Sequence, residues 1–257
     1  AEKGKAYSDK LLAKKVSRGK LDEAGKQKVL DAIKATDNAD DLAGCDLIIE
    51  AVFEDSDLKA KVTREAEPHL ADNGIFASNT STIPITQLAE ASANPEKFIG
   101  LHFFSPVDKM PLVEIIKGEK TDDETLARAF DYVMQISKTP IVVNDSRGFF
   151  TSRVFGTFVN EGVSLLGEGF HPASIENAGV LAGMPVGPLA ICDEVSLSLM
   201  THIRDQSRKD TEAAGGTWNP HPAEAVVDAM VGKHDRTGKA AGAGFYEYPE
   251  NGKKYLW

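Results

Sequence analysis

The strongest constraint on the fold is a set of five short apolar runs, after which runs of this kind stop. Each is bounded by polar or turn-forming residues, as the buried strands of a parallel sheet are. Helical patterns separate several of them, notably at 123–137, and Pro84 fits the first turn of a helix through Leu88. This alternation predicts an α/β layer with a mainly parallel sheet. The runs are 46–52, 74–82, 98–104, 112–118 and 139–145.

The sequence on either side of this layer is helical. The first fifty residues begin with two helical patterns, and Asp22 can cap the second helix. From about 150 to 235 the pattern is helical again, with Gly-Pro breaks, and the closing residues predict an ordered irregular tail. We therefore expect two domains, residues 1–147 with the sheet and an all-α domain of residues 148–257.

Composition excludes several classes of protein. No stretch approaches the ~20 apolar residues that span a bilayer, and the polar start has no signal-peptide core. Cys45 and Cys192 are the only cysteines, which fits a reducing compartment, so we expect cytoplasmic or organelle-matrix localisation and no cysteine-bound metal. The net charge of −10 argues against nucleic acid as a partner.

Basic residues are concentrated in the first twenty positions, which contain seven basic and two acidic residues. A basic patch on an acidic protein suits a small, multiply phosphorylated ligand. A solvated helix face that keeps the protein soluble is the alternative, and charge alone favours it.

Polar side chains lie at or near the ends of three predicted strands. Glu54 follows the first run, an amide and hydroxyl run at 79–82 ends the second, and His102 lies in the third. Ligands of open α/β sheets collect at the carboxyl ends of strands, so we expect these groups at one rim. Glu114, twelve residues after His102, opens the next apolar run, where an unpaired carboxylate is costly.

His102 is the natural partner of Glu114. In such a pair the carboxylate fixes the imidazole tautomer and stabilises the imidazolium, while the other ring nitrogen takes a proton. A salt bridge that pins two strands explains the spacing equally well, because buried ion pairs also serve structure. The residues alone leave both readings open.

The chain contains no GxGxxG sequence. The nearest glycine groups, GEGFHP and GAGFYE, lack the final glycine and a preceding strand. A nucleotide-binding half begins with a strand, a glycine loop, a helix and a second strand, which together take ~30 residues. We therefore expect an incomplete Rossmann-type parallel sheet without its first βαβ unit, in a chain that is a fragment of a longer protein.

Taken together, these segments resemble the L-3-hydroxyacyl-CoA dehydrogenase family. In detail the chain is similar to the dehydrogenase segment of multifunctional fatty-acid β-oxidation enzymes of the fatty oxidation complex alpha-subunit type. The match covers nearly the whole chain in order, and SNTS joined to GLHFFSP and LVEIIKG is its most specific part. The matching segments are DLIIEAVFED, FASNTSTIPIT, FIGLHFFSP, MPLVEIIKG, DSRGFFTSR, GMPVGPLAICDEVSL and GAGFYEY.

The resemblance implies oxidation of an L-3-hydroxyacyl-CoA to the 3-oxoacyl-CoA with NAD. His102 matches the family's catalytic base, Glu114 its carboxylate partner, and Ser81 a serine that touches substrate and nicotinamide ribose. The positions that match cofactor contacts are Ala51, Glu54, Lys59, Asn79 and Ser81. Those that match CoA contacts are Ser8, Lys15 and Ser81, although Lys14 could take the place of Lys15.

The sequence departs from the family at two further positions. Ser152 stands where the family commonly has a catalytic Asn; serine can still hydrogen-bond an oxygen, but with shorter reach. A family lysine aligns with Ala240, one position from Lys239.

The implied partners are an acyl-CoA substrate and either a homo-oligomer or fused neighbouring domains. The alternative from another class is a non-catalytic acyl-CoA-binding or assembly module, which the missing glycine loop favours. Another NAD-linked β-hydroxyacid oxidoreductase is a third option, and the basic N-terminal helices fit CoA better than a small acid.

Overall fold

The computed structural model describes residues 1–213 and 215–257 and divides them into two units, Ala1–Phe150 and Thr151–Trp257. The first unit holds a five-stranded sheet whose strands stand in chain order, β1 to β5. All neighbours are parallel except β3 and β4, so the prediction of a mainly parallel sheet is confirmed. The strands are β1 (Cys45–Glu50), β2 (Leu70–Ser78), β3 (Phe98–Phe103), β4 (Leu112–Lys117) and β5 (Thr139–Asn144).

Both faces of the sheet are buried at its central strands β2, β3 and β4, which explains why these strands are continuous apolar runs rather than alternating ones. Neighbouring residues of one strand join different cores: Phe76 packs with Phe98 and Ile116, whereas Ile75 packs with Ile99 and Ile115. The helices of this unit are α1 (Glu2–Val16), α2 (Glu23–Asp31), α3 (Ser56–Ala66), α4 (Ile85–Ala89) and α5 (Asp123–Gln135).

Side-chain caps set where several of these helices begin. Asp22 accepts a hydrogen bond from the Gly25 amide at the start of α2, as the sequence predicts. Asp55 and Asp122 cap α3 and α5 in the same way. Helices α1 and α2 form a hairpin without fully buried residues, joined by a 2.8 Å ion pair between Lys26 Nζ and Asp9 Oδ1.

The second unit is helical, as predicted, and its core includes Val159, Leu189 and Leu197. Across residues 1–213 and 215–257, no helix is both long and apolar enough to cross a membrane. The helices are α6 (Thr151–Gly167), α7 (Pro172–Leu181), α8 (Pro188–Val195), α9 (Leu197–Ala213) and α10 (Ala223–Asp228).

The C-terminal tail is more regular than the sequence predicts, because two short strands pair there, β6 (Tyr246–Glu247) and β7 (Tyr255–Leu256). The buried Asp193 carboxylate on α8 accepts hydrogen bonds from the Phe245 and Tyr246 amides, both at 2.8 Å, and from the Tyr248 hydroxyl at 2.9 Å. Burial raises the pKa of Asp193 despite these bonds. The tail is fixed by contacts between residues more than fifty positions apart in the sequence, and no local sequence pattern predicts such contacts.

Helix α6 provides a test of packing in the second unit. A Cβ on Gly162 would collide with the ring of Pro188, which cannot rotate away, whereas a Cβ on Gly156 would meet nothing within 4 Å. We expect Gly162→Ala to lower the free energy of unfolding by about 1–3 kcal/mol. The matched Gly156→Ala should be neutral or stabilise by up to about 1 kcal/mol through helix propensity.

Urea unfolding followed by tryptophan fluorescence measures this difference, because the only tryptophans, Trp218 and Trp257, lie in the second unit. Equal midpoints for the two variants would contradict the close packing of α6 against Pro188.

Candidate active site

Three parallel strands bring their carboxyl ends to one edge of the sheet. The Asn79 backbone amide, just past β2, donates to the Glu50 carbonyl at the end of β1 at 2.9 Å. The Asn79 side-chain oxygen accepts from the Phe103 amide at the end of β3 at 2.8 Å. The polar residues that follow β1 and β2 therefore lie beside the end of the strand that carries His102.

His102 and Glu114 form a close polar contact at this edge. They stand opposite each other in the antiparallel pair β3–β4, and His102 Nδ1 lies 2.7 Å from Glu114 Oε2. The Glu114 side chain is completely buried and that of His102 is 9% exposed. A carboxylate at Nδ1 favours the neutral tautomer with its proton on Nδ1, which leaves Nε2 free to accept one.

Glu54 organises the loop after β2. Its Oε1 accepts hydrogen bonds from the Thr80 hydroxyl at 2.7 Å, the Ser81 amide at 3.0 Å and the Thr82 amide at 2.9 Å. Burial raises the pKa of the Glu54 carboxyl, but the Thr80 hydrogen bond and the Lys59 charge outweigh burial and leave the pKa below its ordinary value. An ionised carboxylate therefore holds residues 80–82 in place.

Lys59 lies beneath this carboxylate rather than at the surface. Its side chain is 1% exposed, and Nζ lies 3.0 and 3.1 Å from the two oxygens of Glu50 and 3.5 Å from Glu54 Oε2. The Ser78 hydroxyl also donates to Glu50 Oε1. The Lys59 ammonium group therefore makes its ion pairs inside the protein, and it contacts the edge of the sheet by way of the Glu54 carboxylate.

Glu50 is a member of this cluster that the sequence analysis missed. It is 5% exposed and stands at the end of the apolar run LIIE. A carboxylate in an apolar strand needs a partner, and this reasoning, which predicts a partner for Glu114, applies equally to Glu50. That signal was available in the sequence.

The structure places the other predicted site residues at several locations. Ser81 is half-buried in the loop after β2, and its hydroxyl lies 3.3 Å from Glu54 Oε1. Ala51 is exposed directly after β1. Ser152 lies in the first turn of α6, in the second unit.

The positions matched to CoA contacts lie on the N-terminal hairpin. Ser8 and Lys15 are two turns apart on one face of α1, where Lys15 is exposed. No described hydrogen bond links either residue to the edge that carries His102. At the far end of the chain, Lys239 pairs with Glu194 at 2.7 Å, and Ala240 lies in the same short helical turn as Lys239.

The described residues offer no cluster of three or more His, Cys, Asp or Glu side chains that could hold a metal ion. The donors at the edge are instead an amide, hydroxyls and an imidazole. Such groups suit the hydroxyls and carboxamide of an organic ligand.

Comparison with known proteins places both units in one family. Residues 1–146 match the family described as 3-hydroxyacyl-CoA dehydrogenase, NAD binding domain, and residues 148–248 match 3-hydroxyacyl-CoA dehydrogenase, C-terminal domain. A curated relative, the fatty acid oxidation complex subunit alpha of Shewanella sp. (strain W3-18-1), is 39% identical over 249 residues. These residues are 97% of this chain and 34% of the relative, so the chain spans about a third of that protein's length.

Solved structures agree with this result. The (S)-3-hydroxybutyryl-CoA dehydrogenase PaaH1 from Ralstonia eutropha is 34% identical with a TM-score of 0.86, and the match covers 97% of this chain and 87% of that one. FadB2 from M. tuberculosis is 31% identical with a TM-score of 0.83, and the match covers 96% and 86% of the two chains.

The depressed pKa of Glu54 generates a stability prediction with a defined sign. A carboxyl whose pKa is lower in the folded state stabilises the fold above its ordinary pKa of 4.5, and this contribution disappears as the pH falls through the lowered value. Glu54→Gln should therefore lower the thermal unfolding temperature at pH 7, and the gap from wild type should narrow in acid.

Circular dichroism melts at pH 7 and pH 3 measure this gap. Glu65→Gln, at an exposed position of the neighbouring α3, is the matched control and should melt with the wild type at both pH values. A Glu54→Gln gap that stays constant or widens in acid would contradict the ionised carboxylate.

Proposed function

The chain belongs to the 3-hydroxyacyl-CoA dehydrogenase family, and on that premise we propose that the protein oxidises an L-3-hydroxyacyl-CoA to the 3-oxoacyl-CoA with NAD. The resemblance drawn from the sequence motifs is thereby confirmed at the level of the family. The observation that carries the proposal is the 2.7 Å contact between His102 Nδ1 and the fully buried Glu114 carboxylate. This arrangement leaves Nε2 as the proton acceptor.

In the proposed reaction His102 is the base. Its Nε2 takes the proton of the 3-hydroxyl while the hydride leaves C3, and the C–O single bond becomes a carbonyl. Glu114 Oε2 holds the Nδ1 proton and stabilises the imidazolium that forms. When bound, NAD supplies the acceptor for the hydride.

The polar groups of the first unit fit the nicotinamide half of this cofactor. Half-buried Asn79 and Ser81 offer an amide and a hydroxyl beside the strand of His102, and Ala51 exposes the backbone after β1. We assign these three residues to cofactor contact, with Glu54 and Lys59 holding the loop that presents Ser81. The 257 residues contain no GxGxxG sequence, so we assign no residue to the pyrophosphate.

We propose substrate contacts for Ser81, Ser152, Ser8 and Lys15. Ser81 faces the reacting end of the acyl-CoA, and Ser152 takes the place of the family's Asn as a hydrogen-bond donor to a substrate oxygen. Ser8 and Lys15, about 10 Å apart along α1, are our candidates for the CoA phosphates and nucleotide. Residues 1–147 and 148–257 would then act as the cofactor and the helical domain, respectively.

The curated relatives are described as subunit alpha of a fatty acid oxidation complex. That description supports a multidomain or multisubunit setting for this chain. Its partners in our proposal are therefore an acyl-CoA and neighbouring domains or further copies.

A second candidate function is a non-catalytic acyl-CoA-binding module. The observation that favours it is the absence of GxGxxG from the 257 residues. Calorimetric titrations with NADH and with acetoacetyl-CoA separate the two candidates. Binding of both ligands supports the dehydrogenase, whereas binding of acetoacetyl-CoA alone supports the module.

His102→Gln tests the assigned base. A positioned general base contributes about 10²–10⁴-fold to the rate, so we expect kcat to fall by that factor while the Kd for acetoacetyl-CoA stays within about 2-fold. Formation of NADH from NAD and (S)-3-hydroxybutyryl-CoA, followed by absorbance, gives kcat.

The matched control is His202→Gln, at an exposed position on α9, which should turn over at the wild-type rate. Near-wild-type turnover by His102→Gln would exclude His102 as the base.

A further inference from the structure

The turn that follows β5 is tied to both parts of the site. The Asp145 carboxylate accepts hydrogen bonds from the amides of Ile85 at 2.9 Å and Thr86 at 2.8 Å, which begin α4. The Gly148 amide donates to the Thr82 carbonyl at 3.2 Å. The turn is therefore fixed against the same loop that presents Ser81.

The end of this turn reaches the His102–Glu114 pair. The Phe150 amide donates to Glu114 Oε1 at 3.1 Å, while Oε2 of the same carboxylate contacts His102 Nδ1. The preceding residue, Phe149, places its ring 6.0 Å from the His102 ring, at an angle of 56°. Two consecutive residues thus contact the two members of the pair.

The backbone of Phe149 is unusual. Its φ is +47°, in the left-handed region that a residue with a Cβ rarely adopts, and its side chain is 1% exposed. A glycine would adopt this conformation without strain. A phenylalanine here keeps the ring against the imidazole and also directs the next amide toward Glu114, which explains why the strain is kept beside a reactive group.

We infer that Phe149 is a positioning residue for the His102–Glu114 pair. Its ring restricts rotation of the imidazole from one side, and its left-handed backbone aims the Phe150 N–H at Glu114. The Phe104 ring, 4.5 Å from that of His102, contacts the imidazole as well. The catalytic consequence rests on the function proposed above, whereas the geometric consequence does not.

A purely structural role is the competing explanation, because Phe149 also belongs to a core cluster that includes Phe76 and Phe98. Phe98 is the matched control: it is equally buried, and it stacks on Phe76, with ring centroids 5.5 Å apart. Phe98→Leu and Phe149→Leu both remove a buried ring from one core. Phe149→Met, which keeps more side-chain length, is a milder second variant.

The first readout is nuclear magnetic resonance of the His102 imidazole, with nitrogen-15 labelling. In the wild type and in Phe98→Leu we expect the Nδ1-protonated tautomer, with a Nδ1 proton protected from exchange. In Phe149→Leu and Phe149→Met we expect that proton to exchange faster and the Nε2-protonated tautomer to become populated. Wild-type imidazole signals in folded Phe149 variants would overturn the inference.

The second readout is turnover, and it separates failure of this inference from failure of the proposed function. A displacement of about 1 Å in a catalytic group can cost up to about 10²-fold, so Phe149→Leu should lower kcat about 10- to 100-fold with acyl-CoA Kd within about 2-fold. Phe98→Leu should keep its kcat within about 3-fold of wild type. Equal losses of kcat in Phe98→Leu and Phe149→Leu would overturn the positioning role. If the wild type shows no turnover but the Phe149 variants still show altered imidazole signals, only the proposed dehydrogenase activity is refuted.

Discussion

The requirement to satisfy a completely buried carboxylate controls the arrangement of the site. Glu114 sits in β4, and its antiparallel pairing with β3 places it directly across from His102. A buried carboxylate without partners would be strongly disfavoured, so both of its oxygens are used, Oε2 toward His102 and Oε1 toward the Phe150 amide. The same contacts that make the buried charge tolerable also orient an imidazole at the edge of the sheet.

Other carboxylates repeat this pattern elsewhere in the chain. Glu54 holds residues 80–82, and Asp145 holds the start of α4. In the second unit Asp193 anchors the C-terminal tail through two backbone amides. Each of these acids accepts hydrogen bonds from backbone N–H groups, which fixes the local path of the chain beside it.

The five strands were predictable because each is a short apolar run bounded by polar or turn-forming residues. The start of β2 was missed: the structure begins it at Leu70 rather than at 74, since Asp72 and Asn73 are exposed there and carry no apolar signal. The direction of β4 could not be predicted from the sequence, because a short apolar run has the same length and composition in a parallel and in an antiparallel strand. That direction is what brings Glu114 to His102.

The candidate site was predictable in part for the same reason. His102, Glu114 and Glu54 lie at or near strand ends, a position that sequence periodicity gives directly. Phe149 was not predictable, because a positive φ at a phenylalanine is imposed by tertiary contacts and not by residue type. Glu50 could have been found from its place in an apolar strand, and its pairing with Lys59 explains why that lysine is buried.

The account depends on Glu114 acting as a charged partner of the base. The most direct measurement is kcat of Glu114→Gln at saturating NAD and (S)-3-hydroxybutyryl-CoA. Glutamine keeps the shape but carries no charge, and its amide can donate to Nδ1 and so favour the wrong tautomer. We predict a loss of about 10²-fold or more with an unchanged Kd for acetoacetyl-CoA. A kcat equal to that of the wild type would show that the pair only joins two strands and would contradict the account.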